Sequence, residues 1–149
     1  MMSVKWFLII CLKITNKPMK TNLISFIKKW DRKDLQDDGC YVSKEFHSFQ
    51  VAFFNAMRKI AKTLDAELIK PSYGHYDMSG FIKKGDKYVY FNYGVLGYRT
   101  RVMLTNDYGF HHTPMYVRTA KHDRDYTGGY NNNCYFVDCE EIIERLLNS

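Results

Sequence analysis

Between Ser43 and Tyr93 the hydrophobic period changes once, from helical to strand-like, and that change limits the available folds more than any other feature of the chain. Phe46, Phe49, Phe53, Met57, Ile60 and Leu64 recur at spacings of three and four, supported by Ala52, Ala56 and Ala61. This spacing gathers large apolar groups on one side of a helix starting at Ser43 and predicts the spine of the core. From Glu67 the period becomes two. Tyr76 to Lys83, a Gly85-Asp86 turn and Lys87 to Tyr93 read as a hairpin, with further strands near Thr100 to Leu104, Met115 to Thr119 and Asn133 to Val137.

Two shorter helices frame this centre. Thr21 or Asn22 can cap a stripe of Leu23, Ile24, Phe26, Ile27 and Trp30, and Cys139 to Leu147 places Ile142, Ile143, Leu146 and Leu147 on one side. Asp138 with Glu141 three residues on has the form of a capping box. No internal repeat or low-complexity linker divides the 149 residues. The expected architecture is a single α+β domain over residues 19–149, an antiparallel meander of four to five strands with helices packed on one face.

The N-terminus raises a separate question. Trp6 to Leu12 (WFLIICL) is too short to span a bilayer, no small-residue cleavage site follows it, and the residues before Cys11 do not suit a lipoprotein signal. Residues 1–18 therefore read as an edge strand or as sequence upstream of a natural start at Met19. The expected setting is the cytoplasm, away from membranes. Consistent with it, Cys11, Cys40, Cys134 and Cys139 are scattered, and the one close pair, CYFVDC, is not a CxxC.

Charge gives a weaker signal than its total implies. The net charge is +6, but residues 1–72 carry 13 Lys+Arg against 7 Asp+Glu, while residues 73–149 carry 9 of each. The excess is N-terminal, and a basic tail says less about nucleic acid than a basic face does. Lys44, His47, Asn55, Arg58, Lys59 and Lys62 form the polar side of the long helix, either a phosphate-contacting surface or a solvated one.

Eleven of the twelve tyrosines lie between Tyr73 and Tyr135. In KYVYFNY, Val89, Phe91 and Tyr93 share one face of a strand, and Tyr88, Tyr90 and Asn92 share the other. If the first face meets the helices, the second offers rings to solvent, where they can stack bases or anchor a protein. Strand propensity alone also enriches tyrosine. The segment Phe110 to Asn133, FHHTPMYVRTAKHDRDYTGGYNNN, is polar enough to be an ordered functional loop or an exposed recognition surface. Within it Asp125-Tyr126-Thr127-Gly128-Gly129 predicts a tight turn, and Arg118 is placed to pair with Asp123 or Asp125.

Several chemistries are excluded and one is incomplete. Tyr126-Thr-Gly-Gly-Tyr lacks the Lys-Ser/Thr of a P-loop, no Gly-x-Ser-x-Gly elbow is present, and Ser79 has no evident base. No cofactor is expected. A metal-dependent nuclease needs carboxylates for the metal and a Lys or His for the attacking water. His75, Asp77, Asp86, Lys87, His111, His112, His122, Asp123 and Asp125 are candidates, but the second acid two residues before a lysine on an adjacent strand is missing.

MYVRTAK followed by DYTGGYNN, downstream of HYDMSGF, resembles small uncharacterised proteins of bacterial phages, plasmids and integrated conjugative elements, over roughly Tyr73 to the C-terminus. The resemblance supplies no catalytic residues. It implies accessory work: binding DNA, or inhibiting a host machine such as a CRISPR nuclease. The expected function is therefore non-enzymatic binding of a nucleic acid or host nucleoprotein complex, through Tyr88, Tyr90, Tyr116, Arg118, Lys121, His122, Arg124, Tyr126 and Tyr130. A nuclease and a plain DNA-binding accessory protein are the alternatives.

Overall fold

A computed structural model of the chain describes residues 21–30, 44–74, 77–94 and 115–149, without the side chains of residues 21–25 and 45. The expectations for residues 1–18, Cys40, His75, the strand near Thr100, and His111 and His112 lie outside the described residues. Helix α1 (Thr21–Trp30) and helix α2 (Lys44–Thr63) precede strands β1 (Glu67–Tyr73), β2 (Asp77–Lys84), β3 (Lys87–Gly94), β4 (Met115–Ala120) and β5 (Asn132–Cys134). A short 3-10 turn (Phe136–Asp138) leads into helix α3 (Cys139–Leu147). The architecture is α+β, with the strands in one antiparallel sheet of order β1-β2-β3-β4-β5.

The register explains which residues form the core. Met78, Val89, Phe91, Tyr93, Met115 and Val117 alternate onto the helix side and are buried against Phe49, Phe53, Met57 and Ile60 of α2. Phe26, Phe49, Phe53, Tyr93 and Phe136 form the aromatic centre, with Phe26 and Phe136 only 4.9 Å apart between ring centroids. Such tilted and edge contacts add about 0.5–1.5 kcal/mol per pair beyond area burial. Gly80 sits in this wall because its strand partner is Phe91, whose ring would lie 2.9 Å from a Cβ at that position.

Helix α2 ends in a Schellman motif. Asp65 takes φ +55°, its N–H donates to the Lys62 carbonyl at 3.1 Å, and the Ala66 N–H donates to the Ala61 carbonyl at 2.8 Å. The hairpin turn at Gly85 and Asp86 forms as expected, with Gly85 at φ +60°.

Two local expectations need correction. The last strand stops at Cys134, because Phe136 is drawn into the aromatic centre and the chain turns there instead of continuing its alternation. The Asp138 side chain makes no cap hydrogen bond to α3: its backbone is already helical, φ −103° and ψ −4°, whereas a capping residue is normally extended.

Candidate functional site

The face of the sheet away from the helices is built as rows. Register aligns Phe81, Tyr90 and Arg118 across β2, β3 and β4, with Ser79, Asn92 and Tyr116 in the row above and Lys83, Tyr88 and Ala120 in the row below. In the middle row the Phe81 and Tyr90 rings lie 5.2 Å apart, and the Arg118 guanidinium carbon lies 4.4 Å from the Tyr90 ring centroid. That geometry is a cation–π contact. Among the described residues, Arg118 Nε has no hydrogen-bond partner.

The upper row is polar. Asn92 Nδ2 donates to Asp77 Oδ2 at 2.7 Å and to the Tyr90 hydroxyl at 3.4 Å. Burial raises the Tyr116 phenol above its ordinary value, reinforced by its hydrogen bond with Tyr90 and by the negative charge of Asp77. A Cβ at residue 74 would meet the Asp77 carboxylate and lie 2.6 Å from the Asp77 carbonyl oxygen, so the close approach of this residue requires Gly74.

This face does not offer Tyr90 to solvent, contrary to the expectation from alternation. Tyr90 and Arg118 are each only 6% exposed and Phe81 is fully buried. The reason is a strap. Residues 121–131 leave β4 and lie back over the rows, so that the Tyr126 ring meets Phe81 at 5.5 Å and Tyr90 at 5.8 Å. Farther across, Asp123 Oδ2 forms an ion pair with Lys70 Nζ of β1 at 2.9 Å.

Asp125 organises the strap. Its carboxylate accepts the N–H groups of Lys121 at 2.9 Å, Thr127 at 3.3 Å and Gly128 at 2.8 Å. The Lys121 and Gly128 bonds hold Asp125 below the usual carboxylate range. A Cβ at residue 128 would lie 2.5 Å from that carboxylate, and Gly129 takes φ +74°, so each glycine has a separate cause. Arg118 Nη2 donates to the Asp125 carbonyl at 3.5 Å, and the Asp123 carboxylate pairs with Lys70 instead. At the far end Asn132 Nδ2 donates to the carbonyls of Val117 and Tyr130, while its Oδ1 accepts from Arg145 of α3 at 3.3 Å.

The outer side of the strap is the open surface. Tyr130 is 92% exposed and Tyr126 55% exposed, and Lys121, His122 and Arg124 face solvent beside them. The expected recognition residues thus divide. Lys121, His122, Arg124, Tyr126 and Tyr130 gather on the strap surface. Tyr90 and Arg118 lie beneath it, and Tyr116 and Tyr88 are half-buried at its sides, with Lys83 Nζ 5.7 Å from the Tyr88 ring centroid.

The described metal-site candidates do not converge. Asp77 and Asp86 lie at opposite ends of the β2–β3 hairpin, Asp123 is paired with Lys70, Asp125 is engaged by backbone N–H groups, and His122 Nδ1 accepts the Arg124 N–H at 3.1 Å. Among the described residues no group of three or more His, Cys, Asp or Glu is placed to hold a metal ion. Cys134 and Cys139 are unbridged, and burial pushes the Cys134 thiol up to about 12 and the Cys139 thiol well above its ordinary value. Neither supplies a thiolate at neutral pH. No described helix is long and apolar enough to cross a membrane.

Sequence reasoning missed Lys70 and the Asp77–Asn92–Tyr90 network. Lys70 precedes Pro71 in an edge strand, and nothing in that local pattern points to a loop more than fifty positions away. Compared with protein-family profiles, with curated proteins and with solved structures, the chain has no match.

Proposed function

We propose that this chain is a non-enzymatic binding protein of a phage or mobile element, and that its strap surface engages a nucleic acid or a host nucleoprotein complex as an accessory or anti-defence inhibitor. The observation that carries the reading is the exposure of Tyr126 and Tyr130, with Lys121 and Arg124, on a loop already ordered by Asp125 and Lys70. Tyrosine and arginine are the side chains that most often dominate binding energy, and a loop fixed before binding loses less entropy on association. The same rings can stack bases while the cations meet phosphates. The mobile-element setting rests on the sequence resemblance alone.

The test is capture from a bacterial host lysate by the immobilised protein, with and without prior nuclease treatment, alongside Tyr130→Ala and Arg124→Glu. Retained capture that survives nuclease and falls with either substitution identifies a protein partner at the strap. Loss on nuclease treatment, together with direct oligonucleotide binding that weakens steeply with salt, identifies nucleic acid. Wild-type capture by the doubly substituted protein overturns the reading. So does magnesium-dependent cleavage of plasmid DNA that disappears in Asp77→Ala.

A further inference from the structure

The helix side of the molecule carries a separate feature. Between α1 and α2 lies a cleft of about 260 Å³, floored by Phe26, Trp30, Ala52 and Ala56 and rimmed by Lys29 and Lys59. We propose that this cleft is a second docking site, for a segment of a partner protein that inserts one apolar side chain flanked by aspartate or glutamate.

The floor exists because of the small residues. Ala52 and Ala56 stand one turn apart on α2, and α1 closes the space with Phe26 and Trp30. The volume falls below the ~300 Å³ at which pockets begin to enclose a drug-sized ligand, so the cleft suits an anchoring side chain better than a cofactor.

The rim decides the chemistry of the occupant. Lys29 and Lys59 are exposed, and Lys29 Nζ is held 5.0 Å from the Trp30 ring centroid. Arg58 adds its charge beside them, with Nη1 donating to Asn55 Oδ1 at 3.1 Å. Over the two helices the sequence supplies Lys28, Lys29, Lys44, Arg58, Lys59 and Lys62 against Glu45 as the single acid. A surface of that balance selects an acidic partner and repels a basic one. The strap differs, with Lys121 and Arg124 balanced by Asp123 and Asp125.

A protein segment fits better than nucleic acid. Phosphate contacts need cations but no recessed apolar floor, and base stacking needs an aromatic face open to solvent. Phe26 and Trp30 are 7% and 2% exposed, so neither offers one. Helices and strap lie on opposite faces of the sheet, so the second site can be occupied together with the first.

The experiment titrates the full chain, with alanine methyl groups isotope-labelled for NMR, with short synthetic peptides carrying a central Leu, Phe or Trp flanked by glutamates. The controls replace the glutamates by lysines or the anchor by alanine. The expected result is a shift of the Ala52 and Ala56 methyl signals with the acidic anchored peptides only. That binding should weaken by about tenfold or more in the Lys29→Glu/Lys59→Glu variant. Ala52→Leu, which fills the cleft without touching its charge, should also abolish it, while Tyr130→Ala should leave it unchanged. No methyl shift with any acidic peptide at low salt overturns the proposal. So does binding that ignores the anchor residue, or methyl shifts produced by an oligonucleotide and not by the peptides. Loss of peptide binding in Tyr130→Ala would overturn it too, by placing the peptide on the strap. The strap reading survives each of these results, and the last would supply it with a ligand.

Discussion

Lys70 and Asp123 form a 2.9 Å ion pair between the first strand of the sheet and the connection that joins the last two. The pair is possible because β1 is irregular at that point. Its register shifts between Ile69 and Ser72, and Lys70 takes φ +49°, an uncommon conformation for a residue with a side chain. Among the described residues no strand lies beyond β1, and the irregularity makes that outer edge a poorer template for another strand, a role that Pro71 reinforces by lacking an N–H. One local distortion therefore guards the sheet edge and presents the partner of the strap.

Lys70→Ala should leave global stability almost unchanged, because both partners are about 40% exposed and exposed ion pairs contribute little. The effect should instead be local. Amide exchange at residues 122–124 should accelerate while the amides of β2 and β3 keep their protection. Equal acceleration across the whole sheet would show that the pair holds the fold and not just the strap.

Asp125→Asn should have the larger effect on the strap, because a neutral amide cannot reproduce three bonds to a carboxylate. Protection of the Lys121, Thr127 and Gly128 amides should fall, and binding through Tyr126 and Tyr130 should weaken with it. In the native chain the Asp125 carboxyl titrates below its ordinary value of 3.8. Its contribution is therefore complete above that value and is lost as pH falls through the lower folded value. Exchange measured from pH 3 to 7 tests this. A strap equally protected in the variant and the wild type throughout that range would remove Asp125 from the role assigned to it.

The helices, the hairpin and the sheet face that meets the helices were legible because one-sided burial imposes a period on the sequence. Phe46, Phe49, Phe53, Met57 and Ile60 carry that signal directly, and all are buried. The Asp125–Gly129 turn was legible because its chemistry is local. The covering of Tyr90 was not, since alternation shows which residues share a face but not whether a distant segment lies over it. Phe136 misled in the opposite direction: it continued a strand pattern, yet its ring is drawn to Phe26 and Phe53 across the core.

Asp65→Gly should stabilise the protein by about 0.5–1 kcal/mol, raising the melting temperature by roughly 2–4 °C. Asp65 occupies the left-handed position of the α2 Schellman motif, where glycine removes the Cβ penalty. Asp65→Val should lower the melting temperature at the same site. A glycine variant that melts at or below the wild type would mean that the aspartate side chain makes a compensating contact.

Glu140 sets the pH dependence expected near neutrality. It is 1% exposed in the first turn of α3, and its Oε2 has no hydrogen-bond partner among the described residues. The start of a helix favours a negative charge by only about 0.3–1 kcal/mol. Burial outweighs that, and with repulsion from Glu144 and Glu141 it moves the carboxyl from 4.5 to about 7. Because the folded value lies above the unfolded one, the folded chain binds the extra proton between them. The associated stability is complete below 4.5 and is lost as pH rises through about 7. Glu140→Gln keeps the shape and removes the titration, so urea denaturation should show the variant close to the wild type at pH 4.5. At pH 8 it should be more stable, by at most about 3 kcal/mol. A variant that loses stability between these two pH values as steeply as the wild type would assign the dependence to another group.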